Sequence, residues 1–164
     1  MMKTLRMVLP ILIALTATAA LAESEANTAF AQLKSLQGSW AGKTSDGRPV
    51  QISNRVISNG SAMMSEITGR EDMITMFHLD GNRVMMTHYC ASGNQPRMVG
   101  SVSPDGKTIT FNFLDATNLV STQHGHMEQV VFTLVDADHH TEQWQFATPD
   151  GKKMQEVFDL QRQK

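Results

Sequence analysis

Short turn signals divide the chain after Gly38 at even intervals, and this spacing constrains the fold more than any other feature of the sequence. Pairs such as Asp46-Gly47 and Asp80-Gly81 favour tight turns between antiparallel strands. Many of the runs between the turns alternate apolar and polar side chains, as Thr108–Phe113 does. Successive side chains of a strand point to opposite faces, so an alternating sequence gives each strand one apolar face and one solvent-exposed face.

About ten such runs indicate an all-β domain. None is followed by a helix long enough for a crossover between parallel strands, so the strands are expected to be antiparallel. An up-and-down barrel and a sandwich both suit this pattern, and the barrel is favoured because closure removes the edge strands. The predicted strands are Trp40–Lys43, Val50–Ser58, Ala62–Thr68, Met73–Leu79, Arg83–Cys90, Arg97–Ser101, Thr108–Leu114, Met127–Val135, His140–Ala147 and Met154–Gln161.

One short helix is predicted before the strands, over Glu23–Gln37. Its apolar residues Phe30, Leu33 and Leu36 recur at helical spacing, and Gly38 ends it. A helix this short needs a surface to lie on. We expect it to cover one end of the barrel as a plug.

Residues 1–22 have the pattern of a secretory signal. Basic residues precede an apolar stretch over Met7–Ala19, and cleavage is expected after Ala22. Residues 23–164 then form one predicted barrel domain, which we expect to be exported to the periplasm or secreted. No later stretch is apolar enough to cross a bilayer, so no transmembrane segment is expected after removal of the signal.

Removal of this segment changes the charge of the chain. Of 164 residues 142 remain, and the formal net charge falls from −2 to −4 because Lys3 and Arg6 leave while every acid stays. A mildly acidic domain without a basic cluster is not expected to bind nucleic acid. The single Cys90 cannot form an intramolecular disulfide. The choice between a monomer and a dimer is left open.

The segment Gly38-Ser39-Trp40 follows the predicted helix and opens the first strand, and Arg162 follows the last strand. This arrangement resembles the lipocalin and calycin barrels. The resemblance implies structural roles for Gly38, Trp40 and Arg162. It also implies that Trp40 packs at the closed end of the barrel, under Arg162, through a cation–π contact.

A second resemblance covers nearly all of residues 23–164. It is carried by the segments Thr75–Arg83, Thr87–Met98, Asp115–Leu119 and Gly125–Met127. These segments are similar to a bacterial exported family of unknown function. The resemblance implies a lipocalin-like barrel, but it carries no activity that can be transferred to this chain.

The hairpin around Asp80-Gly81 predicts which residues face the barrel interior. If these two residues form the loop, Phe77 lies opposite Val84 and Met73 lies opposite His88. The face that holds these residues is the more apolar one, so we expect it to be inside. A slip of one residue would exchange the two faces.

A ligand-binding site is therefore predicted in the barrel interior. His88 is expected to serve as a hydrogen-bond partner or base with Cys90 near it, and Arg97 supplies charge from the next strand. Asn94 and Gln95, in the turn between those strands, add donors at the barrel mouth. The predicted binding residues are His88, Cys90, Asn94, Gln95, Arg97, Phe77, Val84, Met86, Phe111, Phe113, Trp144 and Phe146. The expected partner is a small apolar or amphipathic molecule, and no cofactor is expected.

Two other functions remain open from the sequence. His124 and His126 lie on one strand face and, with His88, suggest a metal- or haem-binding protein or an enzyme, although no catalytic residue can be assigned. His139-His140 is interpreted as part of a solvated hairpin turn, and Asp115–Gly125 as a mouth loop. The second alternative is a structural or stress-related barrel with a filled core, since nine methionines remain after residue 22 and methionine adapts to irregular cores.

Overall fold

The computed structural model describes residues 25–69, 71–119 and 124–164. The predicted signal over residues 1–22 lies outside them. Residues 25–35 form helix α1. The strands are β1 (Gly38–Thr44), β2 (Pro49–Ile57), β3 (Ala62–Thr68), β4 (Met73–Asp80), β5 (Arg83–Tyr89), β6 (Gln95–Val102), β7 (Thr108–Thr117), β8 (His126–Leu134), β9 (His139–Ala147) and β10 (Lys153–Arg162). No helix in these ranges is both long and apolar enough to cross a membrane.

The ten strands form a closed barrel, in which each strand pairs antiparallel with its neighbours in the chain and β10 pairs with β1. The predicted antiparallel up-and-down barrel with a short helix is therefore confirmed. Gly38 begins β1 with φ +125, a conformation that favours glycine. The closing pair places Trp40 opposite Arg162. The same pair leaves no room for a side chain at Gly42, where a Cβ atom would lie 1.7 Å from the carbonyl oxygen of Asp159.

Helix α1 closes one end of the barrel, as its apolar spacing predicted. Ala29, Phe30 and Leu33 are 3% exposed or less. On its other side, Gln32 Nε2 donates to the carbonyl of Gly106 in the β6–β7 turn. The helix is thus buried along one face and attached to the rim of the barrel along another.

Side chains of the barrel hold the C-terminal end of α1. Trp40 Nε1 and Asn54 Nδ2 both donate to the carbonyl of Leu36, at 2.7 and 3.1 Å, and Arg162 Nη1 donates to the carbonyl of Gln37 at 2.7 Å. The last carbonyls of a helix have no partner within the helix, so these donors satisfy them. The guanidinium carbon of Arg162 lies 4.2 Å from the centre of the Trp40 ring, which confirms the predicted cation–π contact.

Aromatic and methionine side chains fill the middle of the barrel. The rings of Phe77, Phe111 and Phe132 have centres 5.6–6.0 Å apart. Met86 and Met98 are fully buried in the same core cluster. The interior next to α1 is therefore packed, and any space for a ligand must lie towards the other end.

The β4–β5 hairpin corrects the predicted register. Its two-residue loop is Gly81-Asn82 rather than Asp80-Gly81, and Gly81 has φ +58 at the position where a type II′ turn has its glycine. The predicted pairs are displaced by two residues, so Thr75 rather than Met73 lies opposite His88. A shift of two keeps every side chain on its face, and the face predicted to be inside is the buried one.

Candidate functional site

The end of the barrel opposite α1 contains a cavity of about 620 Å³. Pockets that bind small molecules typically have volumes of ~300–1,000 Å³. The cavity is lined by the β1–β2 hairpin, by the last residues of β3 and β9, by the first residues of β4, β8 and β10, and by the residues that follow β5. Its size and position are thus compatible with a ligand that enters from the open end.

The base of the cavity is apolar. Val50, Ile67, Trp144 and Phe158 line it and are 5% exposed or less. Three less buried apolar side chains extend its wall: Met73, Met127 and Phe146. The period-two alternation of these strands turns the apolar side chains inward, so the base offers apolar surface to a ligand.

Charged side chains surround the mouth of the cavity. Asp46, Arg48, Glu71 and Glu156 all line it. Arg48 Nε lies 2.6 Å from Asp46 Oδ2, and Arg48 Nη2 lies 2.5 Å from Glu156 Oε1. The hydrogen bond to Asp46 raises the pKa of Arg48, and a hydrogen bond from Thr44 is the main cause of the lowered pKa of Asp46. An apolar base below a charged mouth suits an amphipathic ligand.

Among the polar residues predicted for the site, Cys90 lines the cavity and is partly buried. His88 lies two residues deeper along β5 and is fully buried. Its Nδ1 is 2.9 Å from Thr75 Oγ1, and its ring centre is 4.8 Å from that of Trp144. Its Nε2 has no hydrogen-bond partner within the described residues. Burial lowers the pKa of His88 from 6.5 to about 4, so the ring is neutral at neutral pH.

A buried row of polar contacts runs along β9 below the cavity. Trp144 Nε1 donates to Glu142 Oε2 at 3.0 Å, and His140 Nε2 lies 3.3 Å from Glu142 Oε1. The His140 ring meets the Trp40 ring edge-on, with centres 4.2 Å apart. His140 is 0% exposed, so its placement in a solvated hairpin turn was wrong. This row fixes the position of Trp144, which forms part of the cavity base.

Five of the apolar residues predicted to line the pocket lie elsewhere. Phe77, Val84, Met86 and Phe111 are 1% exposed or less and belong to the packed core. Phe113 lies against the ring of His126, with centres 4.4 Å apart, and does not line the cavity. For the first four, the reason is that α1 and the aromatic cluster fill the closed half of the barrel. Two of the predicted lining residues, Trp144 and Phe146, do reach the cavity.

The charged and amide residues predicted for the mouth also differ from expectation. Arg97 is exposed on the outer face of β6, where its Nε donates to Asp115 Oδ1 at 2.6 Å. This hydrogen bond raises the pKa of Arg97 and lowers that of Asp115. Asn94 is 1% exposed and donates from Nδ2 to the carbonyl of Gly125 at 2.8 Å, while Gln95 accepts a hydrogen bond from β7. These three residues hold strands and turns together and do not line the cavity.

The histidine alternative gains no geometric support. No group of three or more His, Cys, Asp or Glu side chains converges as metal ligands would in the described ranges, which include His124 and His126. The predicted mouth loop Asp115–Gly125 is shorter than expected because β7 continues to Thr117. Residues 120–123 of that loop lie outside the described ranges.

Sequence reasoning missed two parts of this region. Glu142 was not assigned to the interior, although it alternates with Gln143 and precedes the inward-facing Trp144 by two residues. That spacing is the signal that could have placed it inside. Arg48 and Glu71 at the mouth carry no such signal, because they lie beside turns, where an exposed charged side chain is ordinary.

No family model matches the chain, and no curated protein sequence matches it. Rv2717c from M. tuberculosis has a similar structure, with a TM-score of 0.61 and 16% identity over 83% of this chain and 98% of that one. A protein of unknown function from the DUF3598 family of Nostoc punctiforme PCC 73102 has a TM-score of 0.56 and 13% identity, over 80% of this chain and 49% of that one. This chain thus spans about half the length of the Nostoc protein. The likeness concerns the fold alone, and the closed ten-stranded barrel fits a calycin-like fold.

Proposed function

We propose that this protein is exported and that it binds a small, mostly apolar molecule in the cavity at the open end of the barrel. The observation that carries the proposal is a cavity of about 620 Å³ with an apolar base and a charged mouth. Burial of apolar ligand surface against such a base contributes roughly 25 cal/mol per Å². The ligand tail would contact Trp144 and Phe158, and the polar end would stay near Arg48 and Glu71.

Binding is tested with N-phenyl-1-naphthylamine, an uncharged apolar dye whose fluorescence rises in an apolar site. We expect saturable binding of one dye per chain. Ala91→Trp adds a bulky ring at an exposed residue of the cavity mouth and should weaken dye binding about tenfold, a loss of about 1.4 kcal/mol. Leu114→Trp is the matched control, because Leu114 is 45% exposed and does not line the cavity. Absence of saturable binding, or equal affinities for both variants, would contradict the proposal.

Export rests on the signal pattern of residues 1–22 and is tested separately. The full chain is expressed in a Gram-negative host, the cells are fractionated, and the N-terminal residue of the purified protein is determined. We expect protein in the periplasm or the medium that begins at Glu23. Protein that stays in the cytoplasm and keeps residues 1–22 would overturn this part of the proposal without affecting the binding site.

A further inference from the structure

The charges at the cavity mouth are unbalanced. Three carboxylates, of Asp46, Glu71 and Glu156, line it together with one guanidinium, that of Arg48. The formal charges of these four side chains sum to −2.

The single guanidinium is already engaged. Arg48 contacts Asp46 through Nε and Glu156 through Nη2, at 2.6 and 2.5 Å. A ligand anion would have to compete with these two carboxylates for Arg48. Glu71 is different: it is exposed and forms no hydrogen bond within the described residues, although its charge acts on Arg48. A cation at the mouth would therefore meet a carboxylate that is exposed and that no hydrogen bond to another described residue engages.

We infer that the ligand is an amphiphile with a cationic head, such as a long-chain primary amine. This inference rests on the proposed function, because it assigns a charge class to the ligand of the same cavity. The apolar tail lies on the base formed by residues such as Ile67, Trp144 and Phe158, and the ammonium group lies at the mouth near Glu71 and Glu156. The same charges disfavour a fatty acid, whose carboxylate would approach a mouth that is already anionic.

The test compares three ligands with one tail and different heads: dodecylamine, dodecanol and dodecanoate. Each is titrated, below its micelle concentration and at pH 7.5 in low salt, against the protein with bound N-phenyl-1-naphthylamine. We expect dodecylammonium to displace the dye at about fivefold lower concentration than dodecanol, and dodecanoate to need a higher one, since an exposed ion pair changes affinity by up to about fivefold. The differences should shrink in 1 M NaCl, where the Debye length is about 3 Å.

Two variants connect the preference to the mouth. Glu71→Gln should weaken dodecylammonium binding about threefold to fivefold and leave dodecanol unchanged. Glu66→Gln is the matched control, because Glu66 is exposed on the outer face of β3 and does not line the cavity, and it should change neither affinity. If dodecanoate binds as tightly as dodecylammonium, or if both variants behave alike, the charge class is wrong while the binding site stands. If none of the three ligands displaces the dye and the dye itself does not saturate, the proposed function fails and this inference fails with it.

Discussion

Acid should destabilise the folded protein through His88, and replacement of this residue should remove that part of the pH dependence. The ring is fully buried and contacts Thr75 and Trp144, neither of which carries a charge. Burial lowers the pKa of His88 from 6.5 to about 4. The unfolded chain therefore takes up a proton near pH 6.5, whereas the folded chain does so only near pH 4. His88 therefore leaves the free energy of unfolding at its full value above pH 6.5 and lowers it as the pH falls from 6.5 towards 4.

The size of this effect follows from the pKa difference. A change of one in pKa corresponds to about 1.36 kcal/mol. The full difference thus amounts to roughly 3 kcal/mol of the free energy of unfolding once the pH is below both values, and to about 2.5 kcal/mol at pH 4.5. Since small domains have a total stability of about 5–15 kcal/mol, a loss of this size is measurable.

The assay is urea unfolding, followed by tryptophan fluorescence at pH 8, 6 and 4.5. Wild type and His88→Gln are compared, because glutamine keeps an amide near Thr75 but does not titrate. Acids elsewhere in the chain affect both proteins alike, so the difference between the two pH profiles isolates His88. His78→Gln, which removes a histidine from the outer face of β4, is the control and should follow the wild type. Parallel profiles for wild type and His88→Gln would refute the reasoning.

Three further substitutions test the parts of the barrel that support the site. Gly42→Ala should prevent closure of β1 on β10, since its Cβ would lie 1.7 Å from the Asp159 carbonyl oxygen; recovery of soluble protein with a wild-type circular dichroism spectrum would contradict this. Phe111→Ala, at a fully buried site, should lower the free energy of unfolding by about 3–5 kcal/mol, and urea unfolding checks it. Arg162→Met should lower it by about 1–3 kcal/mol, because the carbonyl of Gln37 loses its donor and Trp40 loses the stacked charge. An unchanged urea midpoint for Arg162→Met would show that the closed end does not depend on this residue.

The fold was predictable because its signals are local. Turn pairs and period-two alternation act within a few residues, and they identified ten strands that the barrel contains. The contact of Trp40 with Arg162 is a long-range feature, and it was predicted from the resemblance of Gly38-Ser39-Trp40 rather than from any local pattern.

The site was harder to predict because it depends on how much of the barrel α1 fills. Alternation assigned Phe77 and Phe111 to the interior correctly. It does not show which part of the interior is packed with side chains and which part contains the cavity. The register of the β4–β5 hairpin was displaced by two residues because Gly81 was expected at the second loop position instead of the first. Arg97 was expected to supply charge to the site, whereas alternation between the buried Pro96 and Met98 puts it on the outer face of β6, where it pairs with Asp115.

The polar residues below the cavity are consistent with the binding role that we propose. A buried carboxylate such as Glu142 is costly to desolvate, and an apolar side chain of similar volume often gives a barrel interior equal or greater stability. Here Glu142 accepts a hydrogen bond from Trp144 and lies 3.3 Å from His140 Nε2. His140 in turn packs against Trp40, which contacts Arg162. The indole that forms part of the cavity base is thus fixed before any ligand arrives, and a preformed base lowers the entropic cost of binding.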